Sequence, residues 1–256
     1  MFVKERWEKI IELLHQQGNV RVKELAQRFC VSEDCIRKDL AALEKQGELK
    51  RSYGGAVLEK INLHKEDVAQ RMYTDIGKKK KIAEEAIKLI QDGDMVFLDI
   101  STSNIEVAKE IIQQHKKVHV VTNMVEIMRV FQAPCEAGIT FLGGSFNRGK
   151  DGFIGTLTIE QIKQFRFDLS FLGVVGIDPY LNCVNTYVAE DGLTKQAILH
   201  CSRQSYMLCE TTKFEQEGNY RYAGLECFTG IILDERPDKK LEKALKKYEL
   251  KIYYGE

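Results

Sequence analysis

Residues 19–58, NVRVKELAQRFCVSEDCIRKDLAALEKQGELKRSYGGAVL, read as a helix, a tight turn, a second helix and a short glycine-turned ribbon. Val22, Leu25, Ala26 and Phe29 recur at spacings of three and four, which gives the first helix one apolar face. Cys30-Val31 forms the turn. Ser32 is suited to cap the next helix, because its hydroxyl can take an orphan backbone amide. That helix turns Ile36, Leu40 and Leu43 inward and leaves Glu33, Asp34, Arg37, Lys38 and Ala41 outward. An outward, polar first turn on the second of two helices is what a helix-turn-helix presents to the DNA major groove. The 49–58 segment, centred on Gly54-Gly55, reads as a hairpin wing that sets Arg51 beside the DNA backbone. Tyr53 then lies either against a sugar or the minor groove, or as packing under the wing. The expected DNA contacts are therefore Ser32, Glu33, Asp34, Cys35, Arg37, Lys38, Arg51 and Tyr53, with Cys35 either touching a thymine methyl or only filling a Thr-sized space.

Upstream, a helix is expected from about Lys4 to Gln17, with Ile10, Ile11 and Leu14 inside and Gly18 as its stop. The whole chain has 256 residues, enough for two compact units. Its 44% hydrophobic and 30% charged residues describe an ordinary soluble globular protein. No apolar run approaches the ~20 residues of a membrane span, and the first segment is amphipathic rather than a signal peptide, so a cytoplasmic protein is expected. The seven cysteines are scattered and form no C-x-x-C pair, which argues against a zinc site or a disulfide framework. Neither a metal nor a cofactor is expected. Net charge is zero; residues 1–60 hold 12 basic and 10 acidic side chains, so the electrostatic footprint for nucleic acid is weak. DNA affinity must come from local placement of Arg37, Lys38, Lys50 and Arg51, doubled in a homodimer or homotetramer.

Apolar periodicity fades over 59–77, which reads as a linker between a DNA-binding domain at 1–58 and a second domain at 78–256. The run Lys78–Lys81 opens a helix whose face carries Ile82, Ala86, Leu89 and Ile90; it is either a solvated face or the source of one phosphate-directed lysine. Strands follow at 94–100, 118–123, 138–144, 168–176, 205–210 and 229–234, with helices at 104–114, 125–131, 156–165, 191–203 and 238–247. Short apolar runs alternating with helices predict an α/β domain with a largely parallel sheet covered on both faces. In such sheets ligands sit beyond the carboxyl ends of the strands. Those ends are polar and small here: Asp99 with Ser101, Thr102 and Ser103, then Thr122 and Asn123, Gly143 and Gly144, and Gly176. Hydroxyls and free amides at a helix N-terminus make an oxyanion seat, and Lys195 and Lys213 can add charge-assisted contacts. Together these residues form the expected effector site for a phosphorylated metabolite.

The same residues carry a resemblance. VSEDCIRKDLAALEKQGELKRSYGGA is similar to the N-terminal signature of the DeoR family of bacterial regulators, VS-x-x-TIRRDL-x-x-LE-x-x-G-x-L-x-R-x-HGGA, with Cys35, Lys38 and Tyr53 as departures. DGDMVFLDISTS, VVTN, LGG, FDLSFLGVVGID, Thr194–Ile198 and CETTKF resemble elements of that family's effector domain, nearest to its glycerol-3-phosphate repressor branch. Here Ser101, Ser103 and Glu210 replace the family's Gly, Thr and Asp. The resemblance implies a repressor of a carbohydrate operon that binds operator DNA. It also implies an effector domain similar in fold to ribose-phosphate isomerases and CoA transferases, which takes a phosphorylated sugar. The alternative is an active sugar-phosphate isomerase or transferase using Asp99, Asp178 or Asp191 as base, but the GGGG and D-G-A-D-E runs that resemble active isomerases are absent. No enzymatic activity is expected.

Overall fold

The structure, a computed structural model, describes residues 2–46, 48–57, 71–147, 149 and 151–255, with the backbone alone at 15 and 16. The chain divides into two compact units, 1–61 and 62–256. The part of the expected linker up to residue 70, Leu58 at the end of the wing, and Gly47 all lie outside the described residues.

In the first unit, α1 (Val3–Gln17) stops at Gly18, whose left-handed backbone (φ 72°) lets its N–H donate to the Leu14 carbonyl. β1 (Asn19–Arg21) leads into α2 (Val22–Phe29), and Cys30, at φ 53°, makes the sharp turn into α3 (Glu33–Lys45). Ile10, Leu14, Leu25, Ile36, Leu40 and Leu43 close one core from all three helices. The wing is β2 (Lys50–Ser52) and β3 (Gly55–Val57), but it has a third strand that the sequence reading did not include: the sheet order is β1-β3-β2. Gly55 makes this pairing possible, since a Cβ there would stand 2.0 Å from the Val20 carbonyl oxygen.

The second unit opens with α4 (Ile76–Ala86) and a turn of 3₁₀ helix (Ile87–Leu89). It is built on seven strands: β4 (Met95–Leu98), β5 (His119–Thr122), β6 (Gly138–Phe141), β9 (Phe167–Gly173), β12 (Ser202–Cys209), β14 (Gly230–Leu233) and β15 (Lys251–Tyr254). Their order is β15-β14-β12-β9-β4-β5-β6, and every neighbouring pair is parallel. The strands read as continuous apolar runs because both faces are buried. Val96 and Leu98 join Ile82, Ala83, Ile105 and Ile111 in one core, while Phe97 between them joins Phe167, Ile198 and Leu245 in the other. Helices α5 (Thr102–Gln113) and α6 (Val125–Val130) follow β4 and β5. α7 (Thr156–Ile162), α8 (Ala189–Cys201) and α9 (Lys239–Lys246) follow in turn.

Several elements differ from expectation. The strand expected over 168–176 ends at Gly173, and Gly176 instead starts β10 (Gly176–Asp178). β10 pairs antiparallel with β11 (Cys183–Thr186), which pairs with β13 (Tyr220–Ala223), so a small second sheet stands where loops were expected. The hairpin β7 (Ser145–Asn147)–β8 (Gly152–Ile154) is a further addition. Finally, α8 ends at Cys201 and β12 begins at the next residue. No glycine or proline separates them to mark the change, and Ser202 Oγ donates back to the Ile198 carbonyl.

The order places a topological switch beside β4. The chain proceeds outward to β5 and β6, then returns to β9 on the other side of β4. The crevice at the carboxyl ends of β4 and β9 is where a ligand fits such a sheet.

Candidate functional site

In the first unit the exposed face of α3 carries the expected DNA contacts. Ser32 caps the helix, its Oγ accepting from the Cys35 amide at 3.2 Å. Glu33 and Asp34 occupy the first turn, where the helix dipole favours acids. Arg37 donates to both, at 2.7 Å to Asp34 Oδ1 and 2.7 Å to Glu33 Oε2. These pairs are solvent-exposed, worth ~0.3–0.5 kcal/mol each, so the guanidinium can be recruited to DNA at small cost. Lys38 is exposed alongside. On the wing, the Arg51 amide donates to Glu44 Oε1 at 2.8 Å, anchoring the ribbon to α3. Tyr53 is fully exposed at the wing tip, which removes the alternative of a packing residue beneath it.

Cys35 is half-buried, and Arg6 Nη2 donates to its sulfur at 3.3 Å, which suits the alternative of a small residue filling space between helices. The same guanidinium is held by Asp39, through Nε to Oδ2 at 2.6 Å and Nη2 to Oδ1 at 3.1 Å, and Trp7 Nε1 adds a bond to Oδ1 at 2.7 Å. Arg6 and Asp39 are both buried. This network ties α1 to the recognition helix. Asp39 matches a motif position, but no sequence pattern connects it to a residue 33 positions away.

In the second unit, three strand ends and one helix converge at the switch. Asp99, just past β4, is completely buried and forms an ion pair with Lys195 on α8. Lys195 Nζ also donates to the Gly173 carbonyl at 3.1 Å and lies 4.0 Å from Asp191 Oδ2, one helical turn earlier. Asp191 in turn accepts from Thr186 Oγ1. Gly173 is required by the close approach of the two strand ends: a Cβ would fall 2.4 Å from that of Ser101. Ser101 caps α5, accepting from the Ser103 amide at 3.2 Å. Arg71, Ile100, Ser101, Gly173, Thr186, Asp191 and Lys195 are among the residues lining a small open cleft. Burial pushes the Asp99 carboxyl up to about 6, with Lys195 pulling it down and Asp191 adding to the rise. Burial also works against the Lys195 ammonium, but Asp191 and Asp99 outweigh it, and its pKa is raised. Lys195 is therefore charged, with its Nζ 5.9 Å from the centre of the Tyr222 ring.

Asp99, Ser101 and Lys195, distant in sequence, are thus brought together as expected, with Thr102 and Ser103 in the first turn of α5. The remaining expected residues do not line this cleft. Thr122 Oγ1 donates to the Leu98 carbonyl at 2.7 Å, and Asn123 Nδ2 to the Phe153 carbonyl at 2.7 Å; both are fully buried. The Gly143 carbonyl accepts from Thr158 and Gln161 on α7, and Gly144 packs against Thr158. Gly176 lies on the backbone of Gln216, where a Cβ would be 2.2 Å from the carbonyl oxygen. Lys213 donates to Gln216 Oε1 at 3.0 Å. Close packing requires glycine at 144 and 176, and Thr122 and Asn123 spend their side chains on main-chain carbonyls at the sheet end. The sequence reading omitted Arg71 and Thr186 from the site and held Asp191 only as a possible base. The i, i+4 spacing of Asp191 and Lys195 was the one signal available for the latter. Lys79, from the lysine run, is buried and donates from Nζ to the carbonyls of Arg71 and Thr74, so it is neither solvated nor directed at phosphate.

A winged helix-turn-helix followed by a parallel-sheet unit with a charged cleft at its switch point defines a DNA-binding regulator with a sensor domain. Residues 6–62 match the DeoR-like helix-turn-helix domain and residues 74–235 the DeoR C-terminal sensor domain, and the chain belongs to the DeoR family of transcriptional regulators. It is 29% identical over 250 residues to the glycerol-3-phosphate regulon repressor of Escherichia coli (strain K12), covering 97% of each chain. It is 28% identical over 242 residues to a lactose phosphotransferase system repressor of Staphylococcus epidermidis, covering 93% of this chain and 95% of that one. Among solved structures, ribose 5-phosphate isomerase A of Methanocaldococcus jannaschii aligns over 55% of each chain at 15% identity, with a TM-score of 0.40. A likeness of that size defines neither ligand nor activity.

Proposed function

We propose that the chain is a repressor of a carbohydrate-metabolism operon, relieved when a phosphorylated sugar occupies the cleft at the β4–β9 switch. The observation that carries the reading is the buried Asp99–Lys195–Asp191 cluster opening on a cleft lined by Ser101 and Arg71. Two cations and the N-terminus of α5 suit a phosphate, and the carboxylate of Asp191 suits sugar hydroxyls. A homodimer or homotetramer in the cytoplasm would present two copies of α3 to a dyad operator, and ligand binding would favour an arrangement that no longer fits the half-site spacing. The relatives that are named repressors of glycerol-3-phosphate and lactose systems support this class of operon. No helix among the described residues is long and apolar enough to cross a membrane.

Against a catalytic reading stand the commitments of the three candidate bases. Asp178 Oδ1 accepts from the amides of Tyr180 and Leu181, Asp99 is bound to Lys195, and Asp191 is bonded by Thr186. The decisive experiment selects a duplex from random DNA with the full chain, then titrates it with and without a panel of sugar phosphates. At least one should change the dissociation constant tenfold or more, and a panel without effect would defeat the switch.

The pH behaviour of the cleft offers a second check. Protonating the buried Asp99 near pH 6 removes a negative charge from beside Lys195 and makes the cleft more favourable to an anion. Sulfate does not titrate in this range, so its binding should tighten severalfold between pH 7.5 and 5.5. Calorimetry showing weaker or constant affinity on acidification would contradict the charge assignment.

A further inference from the structure

Arg71 falls between the spans matched by the two family domains, 6–62 and 74–235, and neither match includes it. It nevertheless lines the sensor cleft with Ser101, Gly173, Asp191 and Lys195. Its charge acts on both Lys195 and Lys79, which places the guanidinium in the electrostatic neighbourhood of each. The short strap that carries it, residues 71–75, is held from two sides. Met72 packs against the core beneath α4 and α5. Lys79 reaches up from α4 and spends its buried ammonium on the main-chain carbonyls of Arg71 and Thr74.

Burying an ammonium against neutral carbonyls is unfavourable, and burial lowers the Lys79 pKa accordingly. A plain spacer between two domains would not need such a staple. What the staple does is fix the backbone that offers Arg71 to the cleft. Among the described residues, the strap is also the first stretch of the second unit, whose division from the DNA-binding unit falls at 61/62.

We infer that Arg71 is a ligand-contacting residue of the cleft, and that an anion held jointly by Arg71 and Lys195 ties the 71–75 strap to the end of the sheet. The inference rests on reading the cleft as the effector site. Occupancy of the cleft is then felt at the polypeptide leading to the DNA-binding unit, without a rearrangement of the sheet. Arg suits this role better than Lys would, because its fork can hold two phosphate oxygens at once.

The test uses the full chain, inorganic phosphate as probe, and two readouts: affinity by calorimetry and hydrogen exchange of the strap amides by mass spectrometry. In the parent, saturating phosphate should slow exchange over 72–75 by about tenfold. Arg71→Met should weaken phosphate binding about tenfold, equivalent to ~1.4 kcal/mol, and at saturation should leave strap exchange unprotected. Arg71→Lys should recover part of the affinity. An Arg71→Met protein that binds phosphate like the parent and protects its strap equally would overturn the inference, as would a parent strap indifferent to bound phosphate. Lys195→Met separates the two levels. If it abolishes phosphate binding while Arg71→Met has no effect, the cleft reading survives and the role of Arg71 fails. If Arg71→Met weakens binding while Lys195→Met does not, the anion sits elsewhere on the strap and the cleft reading fails.

Discussion

Asp39→Ala should destabilise the N-terminal unit by about 3–5 kcal/mol, a large share of the ~5–15 kcal/mol by which domains are stable. The reasoning follows from what the carboxylate leaves behind. Arg6 loses both of its charge-assisted bonds to Asp39 while staying buried, and the Trp7 indole N–H loses its acceptor. Among the described residues, the other bond of the Arg6 guanidinium goes to Cys35, and a thiol is a weak acceptor. Removing both charges is a different matter. An Arg6→Met/Asp39→Leu protein, filling the same space with apolar groups, should recover most of the loss, because a buried pair contributes little net stability over a hydrophobic replacement. Denaturant unfolding of the three proteins checks this. A single Asp39→Ala cost below ~1 kcal/mol would mean that water reaches Arg6 and that the network does not hold α3 against α1.

Lys195→Met should remove anion binding in the cleft and weaken the C-terminal unit by ~3 kcal/mol near neutral pH, because Asp99 and Asp191 lose their shared counter-charge. The sign of the pH dependence distinguishes this from a packing defect. Without Lys195, burial and the neighbouring Asp191 act on Asp99 unopposed by a counter-charge, so its folded pKa rises beyond the value near 6 that it has with the lysine present. A carboxyl whose folded pKa exceeds its unfolded value is stabilised as protons are added between the two. The deficit relative to the parent should therefore shrink as pH falls from 7.5 towards 5, and adding Asp99→Asn should shrink it at every pH. A deficit independent of pH and unrelieved by the second substitution would point to lost packing instead.

How legible these features were depended on sequence separation. The two helices of the DNA-binding unit were readable because Val22, Leu25, Ala26, Ile36, Leu40 and Leu43 repeat at helical spacing and Ser32 marks a boundary. The parallel strands were readable because burial on both faces writes uninterrupted apolar runs. Four three-residue strands were not: β1, β7, β8 and β10 are too short to show alternation and lack the Gly-Gly turn that marked the equally short β2 and β3, so their pairing is decided by tertiary contact. At the cleft, strand-end logic found Asp99, Ser101 and Lys195. It also swept in Thr122, Asn123, Gly143, Gly144 and Gly176, since a side chain bonded to the main chain, as at Thr122 and Asn123, or a glycine required by packing, as at 144 and 176, looks the same as one awaiting a ligand. Arg71 sits where periodicity is lost, so nothing local marked it. The two readings of Cys35 could not be separated locally, because the helical wheel sets it beside exposed residues while its bond comes from Arg6 on another helix.

The central claim is that α3 reads DNA through its exposed first turns. It is tested most directly by footprinting the selected duplex with the parent and with an Arg37→Ala/Lys38→Ala protein whose unfolding midpoint matches it. Both side chains are exposed, so folding should be unaffected. The account predicts that the parent protects a dyad-related pair of half-sites and that the variant protects neither at the same concentration. A variant that protects the same base pairs as well as the parent would contradict it.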